Sequence, residues 1–90
     1  MKKDREDDIS NFITFSTFIL SLNTAALIHL GELPDPVTQK KKVNLLLAKQ
    51  TINTLEMLKE KTKGNLTIDE EKLLDTILYE LKLKFIKISE

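Results

Sequence analysis

The pattern of hydrophobic and polar positions along this 90-residue chain predicts three helices and no strand. The first predicted helix spans about residues 9–30, the second about 44–63 and the third about 68–88. In each segment apolar residues recur at intervals of three and four, which is the spacing of one face of an α-helix. We therefore expect an all-α fold: a small helical bundle forming a single domain over residues 9–90, preceded by a flexible charged tail over residues 1–8.

Local signals predict where these helices begin and end. Gly31 ends the first helix, because glycine adopts the left-handed conformation beyond a helix terminus without steric cost. Two prolines in the stretch 32–42 predict a loop. Asn44 is the expected N-cap of the second helix, and Gly64 ends that helix. Thr67 followed by Glu70 forms the pattern of a capping box at the start of the third helix.

The first predicted helix is unusual because it contains no Asp, Glu, Lys or Arg between Ile9 and Gly31. One side of it is a bulky apolar stripe, beside which Phe18 lies. This stripe consists of Phe12, Phe15, Ile19, Leu22, Ala26 and Leu30. Another side is a row of small hydroxyl residues, here called the hydroxyl seam, which consists of Ser10, Thr14, Thr17, Ser21 and Thr24. The seam either faces solvent, as in a soluble bundle, or packs closely against a second helix.

The apolar surface of the first helix exceeds what two neighbouring helices can cover, since each neighbour offers one apolar stripe. A soluble monomer rarely leaves an apolar patch larger than several hundred Å² exposed. We therefore expect a homo-oligomer, with a dimer favoured, that acts as a non-enzymatic protein-interaction module or awaits an unidentified protein partner. The expected oligomer interface consists of Phe12, Phe15, Phe18, Ile19, Leu22, Ala26 and Leu30.

A membrane-associated protein is the first alternative, with helix 9–30 in or on the bilayer. A helix of about 20 residues is long enough to span the hydrocarbon core. Its several Ser, Thr and Asn residues weaken such a segment, because polar side chains are costly to transfer into lipid. The sequence therefore favours the soluble bundle.

Composition and charge exclude several other classes of protein. Fourteen basic and fourteen acidic residues give a formal net charge of zero. The overall charge therefore does not favour nucleic acid as a partner. The absence of Cys excludes disulfides and thiolate metal sites and is compatible with a cytoplasmic location. The run Lys40–Lys42 is an isolated basic stretch without interleaved aromatic residues, which is typical of a solvated loop.

Residues able to carry chemistry are few, so we expect no catalytic residue, no cofactor and no resident metal. His29 is the only histidine, and Ser16 lies thirteen residues away on a different face of the same predicted helix. The two cannot form a nucleophile and base within one chain. Glu32 and Asp35 follow His29, but one histidine and two loop carboxylates are a weak metal signature. A third hypothesis is a small-ligand or metal-binding protein that uses His29 at a subunit interface.

The third predicted helix has one apolar face and one polar face. Its expected core stripe consists of Leu74, Ile77, Leu78, Leu81, Phe85 and Ile88. Glu80 and Lys84 are four residues apart, in the orientation that favours an ion pair along a helix. Tyr79 is expected at the edge of the core stripe with its hydroxyl in water.

Two blocks of this sequence resemble a small bacterial family of domains of unknown function. The first block is FSTFILSL over residues 15–22 followed by ALIHLG over residues 26–31. The second is TINTLEML over residues 51–58 followed by KTKGNLT over residues 61–67. The likeness extends from Phe12 to about Ile86. It implies a small cytosolic all-helical protein with no assigned activity.

Overall fold

A computed structural model describes residues 13–90 and shows, within that range, three α-helices and no strand. The helices are α1 (Phe15–His29), α2 (Leu45–Lys61) and α3 (Ile68–Ser89), and each packs against the other two. The predicted all-α, three-helix architecture is confirmed. The tail predicted over residues 1–8 lies outside the described residues.

Helix α1 begins at Phe15, several residues later than the sequence predicted. Thr14 and Thr17 form a reciprocal cap: the Thr14 hydroxyl accepts from the amide of Thr17 at 3.1 Å, and the Thr17 hydroxyl accepts from the amide of Thr14 at 2.9 Å. Two amides that lack a partner inside the helix are thereby satisfied. The usual sequence signature has Glu or Gln at the third helical position, and Thr17 replaces it here, so the start signal was missed.

The loop after α1 is ordered by its own backbone and one carboxylate. Gly31 has φ +78 and ends the helix as predicted. The Asp35 carboxylate accepts from the amides of Val37 at 2.7 Å and Thr38 at 3.1 Å. Gln39 follows with φ 60, a left-handed conformation that costs a residue with a side chain roughly 1–2 kcal/mol. The turn is therefore tight even without a glycine at this position.

The two ends of this loop are tied to each other. Leu30 and Val43 form an isolated antiparallel bridge, and the amide of Asn44 donates to the carbonyl of His29 at 2.7 Å. The C-terminus of α1 is thus bonded to the N-terminus of α2. This connection holds the end of α1 beside the start of α2.

The predicted caps of α2 and α3 are confirmed. The side chain of Asn44 accepts from the amide of Leu47 at 3.0 Å and begins α2. The Thr67 hydroxyl accepts from the amide of Glu70 at 3.1 Å, and the Glu70 carboxylate accepts from the amide of Thr67 at 2.8 Å. Gly64 has φ +79 in the turn between the two helices, where the left-handed conformation favours glycine.

The hydrophobic core lies between the three helices and draws on all of them. Its buried residues are Ile19, Ala26, Leu30, Ala48, Ile52, Leu55, Leu74, Ile77, Leu78 and Leu81. Phe85 and Ile88 pack against this core while remaining partly exposed. Among the described residues no polar side chain is buried, so burial of apolar surface is the main force that holds the helices together.

Two ion pairs connect α2 to α3 at the surface. Lys59 Nζ lies 2.9 Å from Asp75 Oδ1, and Lys82 pairs with Glu56. Because all four side chains are about half exposed, water screens both pairs and each contributes little to stability. The pairs nevertheless place the side of α3 that carries Asp75 and Lys82 next to α2.

The helical spacing predicted an ion pair between Lys84 and Glu80, but the structure does not contain it. The ammonium nitrogen of Lys84 instead lies 3.4 Å from a carboxylate oxygen of Glu32, in the loop after α1. This partner is 52 residues away along the chain, so no spacing rule within a helix could have indicated it. Glu80 is left without an ion pair among residues 13–90.

None of the helices within residues 13–90 is long and apolar enough to cross a membrane. Helix α1 contains 15 residues, fewer than the roughly 20 that a spanning helix requires.

Candidate functional site

The structure places the predicted oligomer interface partly inside the chain's own core. Ile19 and Ala26 have no exposed surface and Leu30 is 1% exposed. Phe15 and Leu22 are partly buried against the same core. A side chain that the chain itself already covers has no surface left for a second copy. Phe12 lies outside the described residues.

Of the described members of that predicted interface, Phe18 is the most exposed, at 48%. Leu20 and Ile13 are also exposed near the start of α1. At 100° per residue, however, Leu20 lies about 160° around the helix from Phe18, so the two point to opposite flanks. The exposed apolar residues of α1 therefore do not form one continuous face.

Within the described residues, the members of the hydroxyl seam lie on the exposed side of α1. Ser21 donates to the carbonyl of Phe18 at 2.7 Å, and Thr24 donates to the carbonyl of Leu20 at 3.1 Å. Thr14 and Thr17 form the N-terminal cap, and Ser10 lies outside the described residues. Because these hydroxyls bond to their own helix, the seam is not a contact with another helix of this chain.

Helix α3 carries an exposed apolar row that the sequence interpretation missed. Tyr79 is 66% exposed, Leu83 50% and Ile86 55%, and all three lie on the side of α3 turned away from the core. Their spacing of four and three places them on one line along the helix. The spacing of these three residues is visible in the sequence. A second apolar row next to a core stripe, however, is easily interpreted as the edge of that stripe.

An open cleft of about 620 Å³ lies beside this row, between the end of α3 and the loop after α1. Its apolar lining comes from Leu83, Ile86 and Ile88. Charged side chains surround it, among them Glu32, Glu80, Lys84, Lys87 and Glu90. Apolar and charged side chains together are the general composition of a protein-contact surface.

His29 lies in a separate, smaller pocket of about 170 Å³ at the junction of α1 and α2. This pocket is lined by Ile28, His29, Asp35, Lys40, Lys42, Asn44 and Leu47. The Asp35 carboxylate is engaged by the loop, because hydrogen bonds from the amides of Thr38 and Val37 lower its pKa, with a smaller contribution from the charge of His29.

The candidate oxygen ligands near His29 are separated in the structure. Asp35 lines the His29 pocket, whereas the carboxylate of Glu32 bonds to Lys84 on the other side of the loop. Within residues 13–90 no three His, Asp or Glu side chains form a group that could hold a metal ion. Of the lysine run, Lys40 and Lys42 line the pocket and all three lysines are exposed.

A protein-family model matches most of this chain. The model of the DUF1844 family, described as a domain of unknown function, matches residues 12–87. Neither the curated proteins nor the solved structures provide a match to this chain.

Proposed function

The chain belongs to the DUF1844 family of domains of unknown function, and we propose that it acts as a non-enzymatic helical module that associates with a second copy of itself. In this proposal the protein acts by binding another protein chain and does not catalyse a reaction.

The observation that carries this proposal is the exposed apolar row on α3. Tyr79, Leu83 and Ile86 are each at least half exposed, although a single three-helix core has already buried ten apolar residues. Isolated exposed apolar residues are common on monomers, but an aligned row beside an apolar cleft is typical of an interaction surface. Covering that row removes apolar surface from water, which favours association.

The polar chemistry of the described surface supports binding over catalysis. A catalytic acid or base needs a nearby partner and a pKa suited to its task. The Asp35 carboxylate beside His29 already accepts two backbone hydrogen bonds, which lower its pKa and stabilise its charged form. It is therefore a structural acceptor that orders the loop.

The proposal is tested by the absolute mass of the detergent-free protein, measured by light scattering after size exclusion over a wide range of concentrations. The expected result is a mass that reaches twice the 10.3 kDa of the single chain as concentration rises. A mass that stays at one chain up to millimolar concentration would contradict self-association. Co-sedimentation with lipid vesicles, without a concentration-dependent mass, would favour the membrane-surface alternative instead.

A further inference from the structure

The exposed row on α3 continues in both directions with a regular spacing. Residues at intervals of three and four run along it, and all of them are exposed. These residues, here called the α3 row, are Thr76, Tyr79, Leu83, Ile86 and Glu90. Apolar residues at this spacing form the seam of a two-helix coiled coil, in which each side chain inserts between side chains of the facing helix.

The charged side chains on one flank of the α3 row form ion pairs, whereas those on the other flank do not. On the flank facing α2, Asp75 and Lys82 are occupied by ion pairs with that helix. On the opposite flank lie Glu80 and Lys87, one heptad apart, and neither has an ion pair within residues 13–90. Lys84, the cation that spacing would have given to Glu80, is bonded to Glu32. Within the described part of the chain, an acid and a base beside the apolar row therefore have no ion-pair partner.

From this arrangement we propose that two copies pack through their α3 rows in an antiparallel pair, with a two-fold axis passing between Leu83 and Ile86. This inference rests on the proposed self-association and specifies its interface. The symmetry brings Leu83 of each copy against Ile86 of the partner subunit. It also brings Glu80 of each copy within one turn of Lys87 of the partner subunit, so one kind of contact occurs twice.

Charge decides between antiparallel and parallel packing. In a parallel pair, flanking residues five positions apart face each other across the seam. Asp75 would then face Glu80 of the partner subunit, and Lys82 would face Lys87 of the partner subunit. Both contacts are repulsive. In the antiparallel pair the free acid meets the free base, and Asp75 and Lys82 keep their partners on α2. The surface is therefore complementary to itself in one orientation.

The exposed tyrosine and the open cleft fit the same arrangement. Tyr79 lies about one and a half turns from the two-fold axis. The residues facing it on the partner subunit are those near Glu90 at the end of α3. Ile86 and Glu90 also line the 620 Å³ cleft. The Tyr79 ring of each copy therefore reaches the apolar lining of the other copy's cleft, which removes both apolar surfaces from water.

The interface is tested by reversing the two free charges separately and together. Sedimentation equilibrium gives the dimer dissociation constant of the full chain and of the variants Glu80→Lys, Lys87→Glu and the double variant. Each single reversal turns two attractive contacts per dimer into two repulsive ones, so the dissociation constant should rise by about tenfold or more. The double variant restores opposite charges across the two-fold axis and should return close to the original value.

Matched controls separate this interface from a general effect of charge. Glu60→Lys and Lys41→Glu make the same changes at exposed positions of α2 and the preceding loop and should leave the dissociation constant unchanged. Circular dichroism and a urea titration at a concentration where every variant is monomeric check that the fold is retained.

The possible outcomes distinguish this inference from the function on which it rests. If neither single reversal changes the dissociation constant but the Phe18→Ser variant dissociates, the dimer forms through the surface of α1. That result would overturn the antiparallel α3 pair while supporting self-association. A double variant as weak as the singles also overturns the pair. An unmodified chain that is monomeric at every concentration overturns both the interface and the proposed function.

Discussion

Gly31 and Val43 approach so closely that a β-carbon on Gly31 would lie 2.8 Å from Cγ2 of Val43. Gly31 also has φ +78, a conformation that residues with side chains rarely adopt. The contact occurs where Leu30 and Val43 bridge the end of α1 to the start of α2. Two independent constraints thus require glycine at the point where the first loop closes.

Replacing Gly31 by alanine should therefore lower the free energy of unfolding by about 2 kcal/mol or more, since strain in the left-handed conformation adds to the clash with Val43. Gly64→Ala is the matched control. Its φ is +79, but no heavy atom lies within 4 Å of the added carbon, so only the backbone strain of roughly 1 kcal/mol applies. Urea titration measures both values, and equal losses at the two sites would contradict the steric argument.

The neighbouring residues Ile19 and Leu20 offer a test of which side of α1 is core. Ile19 is completely buried, so Ile19→Ala should cost about 3 kcal/mol through lost burial and the cavity it leaves. Leu20 is 45% exposed, and Leu20→Ala should cost less than about 1 kcal/mol. The measurement is chemical unfolding followed by circular dichroism at low protein concentration. A larger loss at Leu20 would mean that the helix is rotated relative to the core described above.

The stability contributed by Asp35 should depend on pH. The hydrogen bonds from Thr38 and Val37 hold its pKa below the ordinary value of 3.8 in the folded state. A carboxyl with a depressed folded-state pKa stabilises the fold at pH values above its ordinary, unfolded-state pKa. This contribution is lost as pH falls through the folded-state pKa. Asp35→Ala should therefore be less stable than the unmodified chain at neutral pH.

The same comparison at low pH provides the check on the cause. The difference in unfolding midpoint between the unmodified chain and Asp35→Ala should be constant from neutral pH down to about pH 5 and should shrink below the ordinary carboxyl pKa. A difference that is independent of pH down to about pH 2 would show that the Asp35 charge is not the origin of its effect.

The capping box of α3 should make a measurable contribution to the free energy of unfolding. Thr67→Ala removes the acceptor for the amide of Glu70 and should cost about 1 kcal/mol. Lys72→Ala, at an exposed position of the same helix, should change stability by less than about 0.5 kcal/mol. Thermal unfolding distinguishes the two, and a Thr67→Ala variant as stable as the unmodified chain would show that the helix start is held by other contacts.

Self-association should appear in thermal unfolding as well as in mass. If the native state is a dimer, the unfolding midpoint rises with protein concentration by mass action. Leu83→Ser should reduce this rise, because Leu83 lies in the centre of the α3 row. Met57→Ser changes a residue of similar exposure on α2 and should leave the concentration dependence intact. An identical slope for both variants would place the contact elsewhere.

The sequence predicted the three helices that lie within residues 13–90 and most of their ends. It could do so because these features depend on residues close together in the chain. Gly31, Asn44 and the pair Thr67 and Glu70 act on backbone groups no more than a few positions away, and each was confirmed. The start of α1 was the exception. There the cap is formed by Thr14 and Thr17, a pair of hydroxyls that the usual sequence signature does not include.

Only the tertiary structure decided how the apolar surface is divided. Helical spacing groups Ile19 with Phe18 and Leu22, yet whether a side chain ends in the core or on the surface depends on where the neighbouring helices lie. The same is true of Lys84, whose partner Glu32 is distant in sequence. Because Lys84 pairs with Glu32, Glu80 has no ion pair with any residue between 13 and 90. Local hydrogen bonds and steric limits are determined by short stretches of sequence. Burial and long-range ion pairing, in contrast, result from packing the three helices together.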